Sequence, residues 1–178
     1  MNSNQKTKGT VPVLVADRIS KSFGSVKALS NVFMELNQGE TVALVGDNGA
    51  GKSTLAKIFC GELEPDNGAI FLDGRKTVFQ NPRDARAAGV SVVYQDLALA
   101  NNLTVSENVF LGDIPTKFFR VDRRRMARET KIVLNDLGIN LPSVLSRTDE
   151  LSGGQRQAVA IARSVHEGGR IMILDEPT

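Results

Sequence analysis

A glycine-rich stretch that ends in lysine and serine contains the residue types best suited to holding phosphate groups and a metal ion. The residues Gly46, Asp47, Asn48, Gly49, Ala50, Gly51, Lys52 and Ser53 match the P-loop pattern of glycine, four residues, then glycine, lysine and serine. Glycines let the loop curl so that successive N–H groups point at phosphate oxygens. Lys52 offers a charge to the β- and γ-phosphates, and Ser53 offers Mg²⁺ a hard oxygen. We predict a nucleotide site here, extended by Thr54, rather than a turn with an incidental lysine.

Two adjacent carboxylates, Asp175 and Glu176, follow an apolar run that predicts a buried strand over Ile171–Leu174. Ligands bind at the carboxyl ends of the strands in parallel α/β sheets. Asp175 is therefore predicted to hold Mg²⁺ through water, because this ion keeps much of its hydration shell. Glu176 is predicted to polarise a water for in-line attack on the γ-phosphate. Without the P-loop, the two acids would indicate only a solvated strand end.

The stretch Leu151-Ser152-Gly153-Gly154-Gln155 predicts a second anion site. Ser152 is a favoured N-cap residue, and the two glycines expose backbone N–H groups at the start of a helix. The residues alone are also compatible with an ordinary helix cap that follows a flexible approach.

Short apolar runs alternate with helical patterns along the chain, which favours an α/β fold with a mostly parallel sheet. We predict a P-loop core of this class that also carries antiparallel strands near the N-terminus. The predicted strands lie at Val11–Ala16, Val32–Leu36, Thr41–Val45, Ala69–Leu72, Val90–Tyr94 and Ile171–Leu174. A helix is predicted after the P-loop, where Leu55, Ile58 and Phe59 recur at helical spacing and Gly61 ends the pattern. A second, short helix is predicted over Pro82–Ala88. A third is marked by the apolar residues Ala158, Ile161, Ala162 and Val165.

The segment from Leu103 to Leu145 has a helical pattern and predicts an inserted helical subdomain. Met126, Thr130, Val133, Leu134 and Leu137 fit one helix face, with Asp122 as N-cap and Gly138 as stop. We predict four segments: a disordered tail (1–10), the first part of the core (11–102), the helical subdomain (103–150), and the second helix with the acidic strand end (151–178).

Composition excludes several other classes of protein. The 178 residues carry a net charge of +2, so no nucleic-acid partner is expected. No apolar run could span a bilayer, and the N-terminus is not a secretory signal. Cys60 is the only cysteine, so an intrachain disulfide is excluded and a small buried core residue is expected.

These motifs, in this order, resemble the ATP-binding cassette (ABC) ATPases from about Val13 to the last residue. LSGGQRQ at 151–157 looks like the ABC signature, Gln95 resembles the glutamine that touches Mg²⁺ and the attacking water, and Phe23 resembles the aromatic that stacks on adenine. GDNGAGKSTLAKIFCGELEPDNGAI and LSGGQRQAVAIARSV are most similar to the ATPases of ribose-, xylose- and fructose-type import systems.

The resemblance implies ATP and Mg²⁺ as ligands, with Glu176, Gln95 and Lys52 as catalytic residues and Ser53, Gln95 and Asp175 around the metal. Two ATPase domains would pair head to tail, so that Ser152, Gly153, Gly154 and Gln155 face the partner's γ-phosphate. Transmembrane permease subunits would dock near Gln95 and the helical subdomain. The protein would then be cytoplasmic and peripheral on the inner face of the cell membrane.

Some features fit the resemblance less directly. The family's switch histidine lies beyond the acidic pair, so His166 is interpreted as a surface or capping residue. We interpret Arg120, Arg123, Arg124, Arg125 and Arg128, beside Phe118 and Phe119, as a solvated helix face rather than a lipid or partner contact.

Family members also continue past the segment Asp175-Glu176-Pro177-Thr178. A C-terminally truncated domain with inefficient turnover on its own is therefore expected. Two other functions stay open. One is a non-transport ABC protein, such as a translation or repair factor, that binds nucleic acid or ribosomes, and the other is a nucleotide-binding module without turnover.

Overall fold

The computed structural model describes residues 11–93 and 97–174. The chain divides into two compact units, Met1–Ala85 and Arg86–Thr178, each with its own packing. The boundaries expected from the sequence after positions 10, 102 and 150 stay predictions.

The first unit is built on a four-stranded antiparallel sheet in the order β2-β1-β3-β4. The strands are β1 (Leu14–Phe23), β2 (Val26–Leu36), β3 (Asn67–Leu72) and β4 (Arg75–Thr77). Leu14 pairs with Leu36 on one side and with Leu72 on the other, which sets the register of the sheet. The strands expected at Val32–Leu36 and Ala69–Leu72 lie within β2 and β3 and are confirmed. The strand expected at Val11–Ala16 is confirmed only from Leu14 onward, because β1 begins there and runs on to Phe23.

Helix α1 (Lys52–Phe59) follows the glycine-rich loop, as predicted. Leu55, Ile58 and Phe59 are all buried, so the expected apolar face is confirmed. Cys60 is the C-cap and is 4% exposed, which confirms its interpretation as a small core residue. Gly61 ends the helix in the left-handed region, with φ of 74°.

The strand predicted over Thr41–Val45 is wrong. These residues belong to no strand in the structure, and Val45 is 89% exposed. An apolar run becomes a strand only when a neighbour satisfies its N–H and C=O groups, and none of the described strands is hydrogen-bonded to this run. The P-loop is therefore approached by an unpaired segment.

The second unit contains a parallel pair, β5 (Val90–Val93) and β8 (Ile171–Leu174). The two strands pair without a register shift, from Val90 opposite Ile171 to Val93 opposite Leu174. The carboxyl ends of both strands therefore lie side by side at the same end of the pair. The strand predicted over Val90–Tyr94 is confirmed as far as Val93, and Tyr94 lies outside the described residues. The strand predicted over Ile171–Leu174 is also confirmed, but it is not buried throughout as expected, since Leu174 is 42% exposed. Among the described residues, this pair is the parallel part of the structure.

Three helices pack around one apolar cluster in this unit: α3 (Val105–Val109), α4 (Arg123–Asp136) and α5 (Gly153–His166). Asp122 caps α4 by accepting a hydrogen bond from the Arg125 N–H at 3.0 Å, and Gly138 follows its C-terminus with φ of 67°. The predicted cap and stop of this helix are confirmed. The short helix α2 (Pro82–Ala87) also lies where it was expected.

The segment 103–145 is not helical throughout. A short hairpin, β6 (Thr116–Lys117) and β7 (Arg120–Val121), separates α3 from α4. Its strands are too short for an alternating pattern to stand out from the sequence, which is why it was missed.

Helix α5 buries a face shifted from the expected one. Of the four residues predicted to mark its apolar side, Ala162 is fully buried, while Val159, Ala160 and Ser164 supply the rest. His166, expected at the surface or as a cap, ends the helix half-buried, and its ring lies 4.0 Å from that of Phe110, centre to centre. The imidazole ring therefore packs against an aromatic ring and is only partly exposed to solvent.

Candidate functional site

The glycine-rich loop is held by its own lysine. The Lys52 ammonium group donates hydrogen bonds to the carbonyl oxygens of Gly46 at 2.7 Å and Asp47 at 2.9 Å. This keeps the positive charge over the mouth of the loop, where a phosphate group could exchange for the carbonyl contacts.

Gly51 lets the loop approach the sheet closely. It is the N-cap of α1 in the left-handed region, with φ of 86°. A Cβ at this position would overlap the Ala28 carbonyl oxygen and would lie 2.7 Å from the Leu29 side chain. Only glycine fits both the backbone conformation and the space beside β2.

The start of α1 is left without a side-chain cap. The backbone N–H groups of Asn48, Gly49, Gly51, Lys52 and Ser53 donate to no acceptor in the part of the chain that the structure describes. Several unpaired donors at a helix N-terminus, with a lysine in the same turn, are the groups that an anion site requires. Asp47, Ala50 and Thr54 complete the stretch, with an Ala50 N–H to Asp47 carbonyl bond of 3.1 Å closing the turn.

Ser53 fits the requirement for a hard metal ligand at this position. Its side chain is exposed in the first turn of α1, and no hydrogen bond among the described residues uses its hydroxyl group. A hydroxyl oxygen beside a phosphate site is a donor that Mg²⁺ accepts.

Phe23 lies at the end of β1, in the same unit as the P-loop, and is 47% exposed. Lys21 lies beside it, with its ammonium nitrogen 6.0 Å from the ring centre and 2.8 Å from an Asp66 carboxylate oxygen. The hydrogen bonds from Lys21 and from the Ser22 N–H lower the pKa of Asp66. These contacts fix the strand end and leave a flat aromatic face open to a ligand.

The second predicted anion site starts α5 and is capped by its own side chains. The Ser152 hydroxyl accepts from the Gln155 N–H at 3.3 Å, and the Gln155 side-chain oxygen accepts from the Ser152 N–H at 2.9 Å. This is a capping box. Gly153 and Gly154 have open space around them, and their N–H groups have no acceptor among the described residues.

A buried polar network that was not predicted from the sequence fixes Thr148, four residues before Ser152, against the segment 100–108. Asn108 is fully buried and donates to the Thr148 hydroxyl at 2.9 Å and to the Ala100 carbonyl at 3.0 Å. The Thr148 hydroxyl in turn contacts the Leu103 carbonyl at 2.8 Å. An asparagine within an apolar helix face is the only sequence signal of such a network.

Arg163 is a second residue that was missed. From α5, its guanidinium group donates to the carbonyl oxygens of Ala98 at 3.1 Å and Leu97 at 3.4 Å. These contacts fix the chain shortly after position 95. Gln95, Asp175 and Glu176 themselves lie outside the described residues.

Comparison with known proteins decides the family. A profile described as "ABC transporter" matches residues 29–178. The chain belongs to the ABC transporter family. The P-loop and the capped glycine pair of α5 thus both lie within the part of the chain that matches the ABC transporter profile.

Individual relatives agree with the family. The chain is 48% identical over 160 residues to the "Xylose/arabinose import ATP-binding protein XylG" of Sulfolobus acidocaldarius, covering 90% of this chain and 64% of that protein. It is 45% identical over 172 residues to the "Ribose import ATP-binding protein RbsA 2" of Streptomyces avermitilis, covering 96% and 34%.

Among solved structures, the chain is similar to cbiO1 from Clostridium perfringens, described as part of the ABC transporter complex cbiONQ. The TM-score is 0.77 at 27% identity, and the match covers 94% of this chain and 66% of that one. The predicted α/β P-loop fold with N-terminal antiparallel strands is confirmed. The chain spans less than two thirds of the length of the two sugar-import relatives.

No helix in the described part of the chain combines the length and apolar character needed to cross a bilayer.

Proposed function

We propose that this chain is the nucleotide-binding part of an ATPase that energises a membrane transporter, and that the transported substrate is a sugar. One observation carries the nucleotide assignment: α1 begins with unpaired N–H groups and no side-chain cap, and the Lys52 ammonium group lies over the loop. The sugar assignment rests on the xylose/arabinose and ribose import relatives. These relatives do not favour the non-transport alternative.

The residues divide the work as follows. The P-loop amides and Lys52 bind and orient the β- and γ-phosphates, and Phe23 stacks on the base. Ser53 would hold Mg²⁺ together with Gln95 and Asp175, and this ion would neutralise charge that develops on the phosphate oxygens. Glu176 would accept a proton from the attacking water.

The open glycine pair of α5 supports a head-to-tail partner. One nucleotide needs one P-loop, so a second set of free N–H groups in the same chain suits a phosphate held by another ATPase domain. Permease subunits are the proposed membrane partners, and they would place this protein on the inner face of the membrane. The cbiONQ membership of cbiO1 is consistent with such an assembly.

Nucleotide binding is tested by titrating the chain with a fluorescent ATP analogue in the presence of Mg²⁺. Lys52→Ala should weaken binding by at least about tenfold, because it removes the charge-assisted contact to phosphate. Lys57→Ala is the matched control, since Lys57 lies on the exposed side of the same helix. Equal affinities for Lys52→Ala and the wild type would refute the P-loop assignment.

The head-to-tail pairing is tested with cysteines at Asn48 and Ser152 and a bis-maleimide cross-linker. A cross-linked dimer that increases with ATP is expected. A chain with cysteines at Lys57 and Ser152 serves as control and should give less product. Equal dimer yields with and without ATP would exclude a nucleotide-dependent pair.

A further inference from the structure

The hairpin between α3 and α4 has an unusual tip. Its two strands are joined by Phe118 and Phe119, which both adopt the left-handed conformation, with φ of 51° and 60°. Positive φ at both central residues is the geometry of a type I′ turn, for which Asn-Gly is the preferred sequence. Two phenylalanines are therefore the wrong residues for this backbone on local grounds.

Burial within the described chain does not compensate for this choice. Phe118 is 86% exposed and Phe119 is fully exposed, so neither ring is buried. Lys117 lies directly opposite Arg120 in the hairpin, and like charges in that position repel each other. Local rules broken together on exposed residues indicate a functional segment rather than a folding element.

Positive charge is concentrated around the same tip. Residues 113–128 contain six basic and two acidic side chains, whereas the whole chain has a net charge of only +2. Arg123, Arg125 and Arg128 lie within 4.0 Å of a carboxylate, but Lys117, Arg120 and Arg124 form no ion pair with any described residue.

The size of the apolar tip narrows the choice of partner. Two phenylalanine rings offer at most about 500 Å² of surface, less than the roughly 800 Å² that each partner contributes to a standard protein interface. A bilayer needs no matching shape, accepts aromatic rings at the headgroup boundary, and attracts unpaired cations when its lipids are anionic.

We propose that this hairpin is an anchor for an anionic membrane surface. Phe118 and Phe119 insert at the boundary between headgroups and acyl chains, while Lys117, Arg120 and Arg124 contact the lipid phosphates. The inference rests on the proposed transport function only for the presence of a membrane nearby.

Co-flotation with vesicles tests the anchor, using the whole chain without nucleotide. Vesicles of phosphatidylcholine with phosphatidylglycerol should bind the chain, and pure phosphatidylcholine should bind it much less. Phe118→Asn with Phe119→Gly should reduce binding by about tenfold or more, because both inserted rings are lost. This pair also installs the preferred turn sequence, so its Tm should stay the same or rise, which separates lost anchoring from misfolding.

Two further variants sharpen the test. Arg120→Gln with Arg124→Gln should weaken binding at low salt and leave little salt dependence. Phe33→Thr removes an exposed phenylalanine on β2, outside the hairpin, and should bind vesicles like the wild type. The proposal would be overturned if the chain with Phe118→Asn and Phe119→Gly floated like the wild type. Equal binding to anionic and neutral vesicles would also overturn it.

Two other results would assign the tip to a protein partner instead. If the chain does not bind vesicles but self-associates in sedimentation velocity, and Phe118→Asn with Phe119→Gly abolishes this self-association, the tip contacts a second copy. If the chain binds purified permease but not vesicles, and Phe118→Asn with Phe119→Gly abolishes the permease binding, the tip contacts the permease. Lys52→Ala should float like the wild type, and the chain with Phe118→Asn and Phe119→Gly should bind ATP like the wild type. Failure of the anchor and failure of the proposed function are therefore distinguishable.

Discussion

The two helices that begin at glycine-rich motifs treat their first N–H groups in opposite ways. Helix α1 starts at Gly51 with no side-chain cap, whereas α5 starts at Ser152 with a reciprocal capping box to Gln155. A helix start without its cap loses about 1 kcal/mol relative to a capped one. The P-loop therefore gains more from a bound phosphate than the start of α5, which is satisfied by its own residues.

The glycines of the two motifs differ in the same way. Gly51 is confined by the backbone of β2, while a methyl group added at Gly153 or Gly154 would meet no atom within 4 Å. Glycine is thus required by packing in the first motif. In the second, the structure of the single chain does not require it, which is what a surface kept open for a partner would show.

The largest effect is expected for Gly51→Ala. A methyl group there meets the Ala28 carbonyl and the Leu29 side chain in a left-handed backbone, so the unit should lose about 2 kcal/mol or more of its free energy of unfolding. Urea unfolding followed by circular dichroism measures this. Gly49→Ala is the control, since it has the same φ of 86° but open space, and should cost less. Equal losses would mean that close approach is unimportant.

A smaller loss is expected for Ser152→Ala. Removing the acceptor for the Gln155 N–H should destabilise α5 by about 1 kcal/mol. Thermal unfolding of the variant measures the effect, and Ser152→Thr, which keeps a hydroxyl cap, should restore most of it. Were the threonine variant as unstable as the alanine one, the capping box would not be the cause.

Gly154→Ala should act in the opposite direction. Alanine is favoured over glycine in a helix by about 0.5–1 kcal/mol, and its methyl group meets no atom here. The isolated chain should become slightly more stable and bind ATP unchanged, while nucleotide-dependent cross-linking should decrease. A drop in Tm would show that the site is more crowded than the structure indicates.

The smallest effect concerns pH and the other capping box, at the start of α3. Hydrogen bonding from the Thr104 N–H lowers the pKa of Glu107, with Arg123 adding a favourable charge. A lowered pKa in the folded state means that this contribution is fully present above the usual carboxyl pKa and is lost as the pH falls through the folded value.

Glu107→Gln keeps the cap but cannot titrate, just as Gln155 cannot in α5. Thermal unfolding between about pH 7 and about pH 3 should therefore decline less steeply for the variant than for the wild type. An unchanged slope would assign the acid sensitivity to other carboxylates.

Local patterns were sufficient for the elements that carry their own start and stop signals. Asp122 and Gly138 bound α4, and Ser152 starts α5, because caps act through residues adjacent in sequence. The strand expected at Thr41–Val45 was wrong for the complementary reason: a strand depends on a neighbour that sequence pattern does not show.

The hairpin at 116–121 shows another limit. Phe118 and Phe119 are apolar, and the sequence led us to interpret the adjacent arginines as a solvated face. Those arginines are indeed exposed, but the backbone conformation of the two phenylalanines could be seen only in three dimensions.

The amino-acid sequence alone identified the P-loop motif with Lys52 and Ser53, the glycine pair capped by Ser152, and membership of the ABC transporter family. Such motifs are contiguous, so their residue types and spacing carry the signal. The tertiary structure decided which glycine is sterically required, which polar residues, such as Asn108 and Thr148, hold a loop, and which aromatic rings stay in solvent. Each of these depends on atoms distant in sequence that meet only after folding.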